Sequence, residues 1–410
     1  MKNNPKVLLV GYNGANNTGS EARLLSIIED IRSILGPETH ITVPTLNEAN
    51  LRRYLKEDKY LKIAPLHSIF FYDVRRLVKE HDVLLLVEGS CYMDTWTSAL
   101  LWAFLYSTRC ANNFKKPSLA YAVDVGHLSR FNRWLVKREA SKTDLILTRT
   151  KSAAEDLKKF GVTAPIDVTA DCAFIFKTEE EDKNILKESW PDSDSDVVGL
   201  APIDFYLWPV VIRPWGKKKY LYKWPYYFSR SKNRIKESEK LALKWAQEAD
   251  RIIEEHGKKI ALICMEEVDE PLARCIKKKL KNPEMMKIFS SREYNASEMT
   301  NILRSLELLV TSRYHAGVLS LEGQIPQIAV GHDTRLRGFY GELGLQDYLI
   351  DYMSPKIWDK LSEKVDELIE NPEIQKNLLK QGFIEHLNRA KENPEILKDF
   401  LQENGWKVRK

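Results

Sequence analysis

Short apolar runs recur along the chain, and each ends in a polar or glycine-rich turn before apolar residues resume at helical spacing. Residues 7–10, 39–45, 83–87, 118–123 and 144–148 predict strands of a first set, with helices over 24–35, 96–106 and 153–160, and residues 168–176 close this half. A second set follows, with strands over 197–201, 259–264, 287–289, 306–310 and 325–330. Its helices are expected over 239–255, 271–280, 296–303 and 316–322. Strand and helix in alternation, with fully apolar strands, is the pattern of an α/β protein whose parallel sheets are covered on both faces. The boundaries follow the same pattern: an N-terminal domain over 1–180, an Asp/Ser-rich linker over 181–196, and a C-terminal domain over 197–350. A charged tail over 351–410, with Leu and Ile at helical spacing, is expected to pack back across both domains. No internal repeat is visible.

Polar groups cluster where the predicted strands stop. The first is followed by Gly11-Tyr12-Asn13-Gly14-Ala15-Asn16-Asn17, the 83–87 strand by Glu88-Gly89-Ser90, the 118–123 strand by Asp124-Val125-Gly126-His127, and the 144–148 strand by Arg149. The 306–310 strand leads into Thr311-Ser312-Arg313-Tyr314-His315-Ala316-Gly317. The 325–330 strand leads into an arm from Gly331 through His332 and Asp333 to Arg335 and Arg337. Open parallel sheets bind ligands outside the carboxyl ends of their strands, and helix starts favour anions. A lone arginine or histidine in a loop is more often a solvated structural residue. Several of them at strand ends, in two domains, predict a crevice that takes a small, strongly anionic ligand. The asparagines of the first turn read equally well as helix caps.

Composition narrows this picture only a little. The 410 residues exceed one ordinary core, and 43% hydrophobic with 30% charged residues describe a globular protein. A net charge of +5 without a basic stripe argues against nucleic acid as a partner. The five cysteines lack ligand spacing. The apolar 96–106 segment is far too short to span a bilayer, and no signal peptide is apparent, so a cytoplasmic protein is expected.

One stretch does not fit the strand-helix rhythm. Residues 204–235 interleave aromatics with Lys and Arg, and their prolines forbid a continuous helix. They predict a loop overhanging the crevice, with 205–228 able to touch a membrane surface that carries a lipid-linked sugar, or to stack on the sugar itself. Packing on its own protein is the plainer alternative.

The motif Ser312-Arg313-Tyr314-His315-Ala316, then Gly323-Gln324-Ile325-Pro326, then Arg335-Leu336-Arg337-Gly338-Phe339-Tyr340-Gly341-Glu342-Leu343-Gly344-Leu345, resembles the polysaccharide pyruvyl transferase family. Agreement extends to 14–22, to 149–157 and to Asp171-Cys172-Ala173-Phe174, and covers residues 6 to about 350. The family usually carries Asp where Ser20 stands, three glycines where Glu88-Gly89-Ser90 stands, and Asp where Thr150 stands. These differences fall in the half expected to hold the acceptor.

The resemblance implies two doubly wound, Rossmann-like domains facing a cleft, GT-B-like, with a C-terminal helical tail. It also implies transfer of pyruvate from phosphoenolpyruvate, as co-substrate, to two hydroxyls of a sugar in a cell-surface polysaccharide or its lipid-linked precursor. Under that reading Arg149 and Arg313 hold phosphate and carboxylate across the cleft, with Tyr314, Arg335 and Arg337 on the donor side. His315, as imidazolium, serves as proton donor. Asn13, Asn16, Asn17, Glu88, Asp124 and His127 face the acceptor, with Glu88, Asp124 or His127 as base. No cofactor and no metal are expected, because arginines compensate the charge. A nucleotide-sugar glycosyltransferase of the same fold is the main rival, and a catalytically silent carbohydrate-binding protein the second.

Overall fold

The computed structural model describes residues 4–193, 196–331 and 334–409. His332 and Asp333 of the expected arm, and Asp194 and Ser195 of the expected linker, lie outside the described residues. The first sheet comprises β1 (Val7–Val10), β2 (Ile41–Thr45), β3 (Leu61–Pro65), β4 (Val83–Leu86), β5 (Ser118–Val123), β6 (Leu145–Thr148) and β7 (Ile166–Val168). They are all parallel, in the order β3-β2-β1-β4-β5-β6-β7. A second parallel sheet opens with β8 (Val197–Ala201). It resumes after an antiparallel sheet of β9 (Val210–Ile212), β10 (Leu221–Lys223) and β11 (Tyr226–Phe228). Its other strands are β12 (Lys259–Cys264), β13 (Met286–Ser290), β14 (Leu308–Thr311), β15 (Gln327–Gly331) and β16 (Leu349–Asp351), in the order β13-β12-β8-β14-β15-β16.

Strand order reverses between β1 and β4 in one sheet and between β8 and β14 in the other. Each reversal opens a crevice at the carboxyl ends, where the flanking crossovers run to opposite faces. The turns after β1, β4, β8 and β14 therefore face one another across the gap between the two sheets. Val-Leu-Leu-Val, Val-Leu-Leu-Leu and Val-Val-Gly-Leu-Ala are buried along their whole length, as central parallel strands must be.

Several elements differ from the sequence expectation. The helix expected from residue 24 begins at Thr18, because the Asn17 side chain accepts the Ser20 N–H and turns the small residues 18–20 into its first turn. The expected loop over 204–235 contains the three-stranded antiparallel sheet, since its β-branched and aromatic residues pair across Tyr226↔Ile212, Tyr227↔Val211 and Phe228↔Val210. The stretch 168–176 that closes the first half begins at the last residue of β7 and holds a 3-10 turn, Cys172–Ile175, capped by Asp171. Strand β3 and the Phe71–Glu80 helix were not anticipated, because Lys62 and Pro65 break the apolar run.

The two lobes touch directly. Thr18 donates its N–H to Met265 O at 2.9 Å, Ser291 Oγ donates to Asn16 O at 2.6 Å, and the Ala296 N–H donates to Glu21 Oε1 at 2.9 Å. The Lys376–Glu403 helix spans both. Leu379 and Ala390 join the core under the second sheet, while Leu397, Phe400 and Leu401 join the core under the first. Between them Asn393 accepts from Thr169 Oγ1 at 2.6 Å and donates to Ala170 O at 2.9 Å.

Candidate active site

A cavity of about 180 Å³ lies where the facing turns meet. Of the residues expected at a site, Asn13, Asn17, Glu88, Arg313, Tyr314, His315 and Arg335 line it. Arg149 and Asp124 lie behind that wall, fully buried. Asn16 is also buried, its amide donating to Glu267 Oε2 at 2.8 Å. His127 and Arg337 are exposed and outside the lining, so neither the histidine as base nor the second arginine of the arm is in place for the roles expected of it.

Behind the wall one carboxylate gathers two guanidinium groups and an imidazole. Asp171 accepts Arg23 Nη1 at 2.7 Å and Arg149 Nη1 at 2.6 Å, and His315 Nε2 stands 3.3 Å from its Oδ2. Burial alone would raise the Asp171 carboxyl. Arg23, Arg149 and His315 outweigh it and hold the group well below the usual carboxylate range. Arg149 also donates from Nε to Asp124 Oδ2 at 2.8 Å, and its guanidinium lies 3.8 Å above the Tyr314 ring. Arginine from the first lobe and the Tyr314-His315 turn of the second thus converge, as the sequence implied. The expected direct clamp on a donor anion is absent here, because Arg149 is already neutralised by two carboxylates.

Arg313 is held the same way. Its Nη1 donates to Glu266 Oε2 at 3.0 Å and its Nη2 to Asp269 Oδ1. Asp269 is pushed up to about 6 by burial, against the pull of Arg313. Glu266 also accepts from Tyr12 Oη at 3.2 Å and Asn17 Nδ2 at 3.3 Å, so this carboxylate ties β12's end to the first lobe. Arg335 sits in the first turn of the Thr334–Glu342 helix rather than at a strand end. It donates to Ser90 Oγ at 2.9 Å and lies over the Trp96 ring at 5.4 Å.

His315 packs on the first lobe so closely that only glycine fits beneath it: a methyl on Gly19 would stand 2.6 Å from His315 Cβ and nearer still to its ring. Burial lowers the His315 pKa below its ordinary value, and Asp171 only partly restores it. Burial therefore disfavours the imidazolium expected from the sequence. Ser312 Oγ, Arg313 Nε and Arg149 Nη2 are buried polar atoms without a protein partner, all around this turn. Such a concentration marks where water or ligand oxygen is accommodated.

On the acceptor side only Glu88 of the three expected bases faces the cavity. It accepts from Ser20 Oγ at 3.1 Å, and its Oε1 takes the Ser90 N–H at 3.2 Å. Asp124 is raised by burial against the pull of Arg149, and is locked in that pair. His127 Nδ1 instead lies 3.4 Å from Asp94. Ser20 and Glu88, two of the positions that depart from the usual motif, are in contact. The insert lines the cavity through Trp208, Val210, Tyr222 and Tyr226.

The sequence expectations gave no site role to Asp171, Glu266, Asp269 and Ser312, although Asp171 and Ser312 stand inside the quoted motifs. Glu266 and Asp269 follow the end of β12 just as Glu88 follows β4, so the strand-end rule could have found them. Asp171 lies three residues past the end of β7, in the Asp171-Cys172-Ala173-Phe174 stretch. One cluster of metal-ligand type exists among the described residues, Glu255, His256 and Asp366. Arg251 donates to Glu255 at 2.9 Å and to Asp366 at 2.7 Å, so both carboxylates are already paired with a guanidinium.

Solved structures share this architecture at low identity. The UDP-GlcNAc 2-epimerase of Neisseria meningitidis bound to UDP-GlcNAc superimposes with a TM-score of 0.64 at 10% identity, covering 97% of this chain and 100% of that one. The S. aureus MnaA-UDP structure gives 0.62 at 11%, covering 97% of each chain. Anabaena Alr3699/HepE in complex with UDP-glucose gives 0.59 at 12%, covering 96% and 100%. These likenesses establish a GT-B-like fold. No curated protein matches the sequence. The family model described as Polysaccharide pyruvyl transferase matches residues 17–334, which include the Thr18 helix start, Arg149, Asp171 and the whole 312–317 turn. The chain belongs to the polysaccharide pyruvyl transferase family.

Proposed function

We propose that the protein transfers pyruvate from phosphoenolpyruvate to two hydroxyls of a sugar, forming a cyclic ketal in a cell-surface polysaccharide or its lipid-linked precursor. The observation that carries this reading is the meeting on one cavity wall of Arg313 and His315 from the turn after β14, Arg335 from the Thr334–Glu342 helix and Glu88 from the end of β4. In the first step Glu88 accepts the proton of one sugar hydroxyl as its oxygen bonds to C2 of the enol. The methylene carbon takes a proton from His315 and becomes the methyl group. In the second step the other hydroxyl oxygen bonds to C2 and gives its proton to the now neutral His315, the C2–O bond to phosphate breaks, and inorganic phosphate leaves with the electron pair and takes the proton held on Glu88.

Arrival of the donor shifts this charge balance. A polyanion beside His315 raises its pKa, so the ring takes up the proton it later delivers. The same anion competes with Glu266 and Asp269 for Arg313, and charge-assisted bidentate contacts favour the exchange. The unpartnered Ser312 Oγ and Arg313 Nε are further donors at that point. The reaction so written uses no metal.

A second reading has a specific observation behind it, because relatives in fold hold UDP or UDP-sugars. Thermal melting with phosphoenolpyruvate, UDP-glucose and UDP-GlcNAc separates the two. Phosphoenolpyruvate at a hundred times its dissociation constant stabilises the fold by about 2.7 kcal/mol, and the UDP-sugars leave it unchanged. Stabilisation by a UDP-sugar alone would replace ketal formation with glycosyl transfer. We also propose that the insert brings the protein to the membrane surface where such acceptors reside. Trp215, Trp224 and Ile212 are exposed there beside Arg213, Lys217, Lys218 and Lys219.

A further inference from the structure

The cavity has more apolar wall than a sugar and a small anion can use. Its polar groups bond to one another at the strand ends: Glu88 with Ser20, Glu266 with Tyr12 and Arg313, Arg335 with Ser90. Other elements supply a second wall. Leu66, Phe70 and Val74 come from the segment after β3 and the Phe71–Glu80 helix, and Leu100, Ala103 and Phe104 from the Ser98–Asn113 helix. Phe70, Val74 and Phe104 belong to a single apolar cluster, and Leu66, Leu100 and Ala103 pack against it. The insert closes the same end, where Val210 and Tyr226 pack with Ala99. Tyr226 Oη donates to Ser68 O at 2.5 Å, and the Val210 N–H donates to Trp96 O at 2.7 Å.

We propose that this apolar end holds the hydrocarbon chain of an amphipathic acceptor, so that the sugar reaches Glu88 while its lipid anchor lies between the two helices and the insert. The proposal deepens the sugar-acceptor reading above and rests on it. A sugar placed against these walls would lose water contacts without gaining partners, whereas a methylene chain gains by leaving water. Charge points to the same occupant. Residues 205–236 contain nine Lys and Arg and no Asp or Glu. The inner face of this segment walls the apolar end, and its outer face exposes Trp215 and Trp224. A segment that is apolar toward the cavity, and cationic and aromatic outside, suits the boundary between anionic headgroups and hydrocarbon from which such a chain would enter.

The test is binding of hexyl, octyl and decyl β-glucosides to the full chain, below their micelle concentrations and without phosphoenolpyruvate, read by tryptophan fluorescence. The dissociation constant is expected to fall roughly fourfold per added methylene. Ala103→Trp fills the apolar end, and Leu66→Asp, in a loop, places a charge in it. Both should abolish the dependence on chain length with melting temperatures close to the parent's. The two variants guard against loss of fold, since one fills volume and the other does not. Affinity independent of chain length overturns the proposal, as does an undiminished dependence in both variants. Binding seen with vesicles but never with monomeric glucosides overturns it too, because the chain then stays in the bilayer. None of these readouts needs ketal formation, so failure of the pyruvyl-transfer reading would appear separately, as absent donor stabilisation.

Discussion

Gly19→Ala tests the site without touching a charged group. Gly19 lies in the first turn of the Thr18–Leu35 helix, where alanine is intrinsically better than glycine by about 1 kcal/mol. Its methyl would nevertheless stand 2.6 Å from His315 Cβ, against the 3.4 Å at which ordinary contact begins, so the two must part by about 0.8 Å. The obstacle is the Cβ of His315, which no side-chain rotation can move. Relief has to come from the backbone, by withdrawing the Arg313-His315 turn from the first lobe and His315 from Asp171. A misplacement on the order of 1 Å at a reacting group costs roughly a hundredfold in rate, or about 2.7 kcal/mol of transition-state stabilisation. The expected result is a loss of that size in kcat for phosphate release from phosphoenolpyruvate, with a cooperative melt retained. The second readout is the His315 imidazole by NMR, whose pKa should move once its distance from Asp171 grows. An alanine variant with kcat within threefold of the parent and an unchanged imidazole titration would refute the close-packed geometry.

Three further predictions follow from the same contacts. Glu88→Gln keeps the hydrogen bond with Ser20 but cannot accept a proton, so kcat should fall by roughly a hundredfold to ten-thousandfold while melting still responds to phosphoenolpyruvate; an unchanged kcat would remove Glu88 as base. Glu21 is raised from 4.5 to about 7, by burial against the Ala296 N–H and Arg53, so the parent loses up to roughly 3 kcal/mol of stability as pH rises from 4.5 to 7. In Glu21→Gln that slope should vanish in urea unfolding, and parallel curves for the two proteins would contradict the assignment. Lys217, Lys218 and Lys219→Glu should abolish sedimentation with anionic vesicles at low salt, and equal sedimentation of both proteins would remove the insert from membrane binding.

The apolar runs were sufficient for the architecture, because a parallel strand buried on both faces must be apolar throughout, and Val-Leu-Leu-Val or Val-Leu-Leu-Leu has no other use. They were insufficient where burial is partial. Strand β3 alternates, with Lys62 exposed, and the antiparallel sheet of the insert hides among prolines. The Arg-x-His-Ala turn, the strand-end position of Glu88 and the family were likewise legible in the residues themselves.

Which charges neutralise which was decided only in three dimensions. Arg149 and Arg313 looked like matched anion clamps from their places at strand ends. Each instead arrives already paired, Arg149 with Asp124 and Asp171, Arg313 with Glu266 and Asp269. The partner residues are distant in sequence, and no local pattern encodes a pairing that exists to offset the desolvation of a buried guanidinium. The same holds for His315. Its residue type predicts a group that titrates near neutrality, but the fold presses it onto Gly19 in a mostly buried position, where the charged form is disfavoured until an anion joins it. The chain's own order of residues thus set the elements and the chemistry available, while contact between the lobes set the resting charge state in which that chemistry waits.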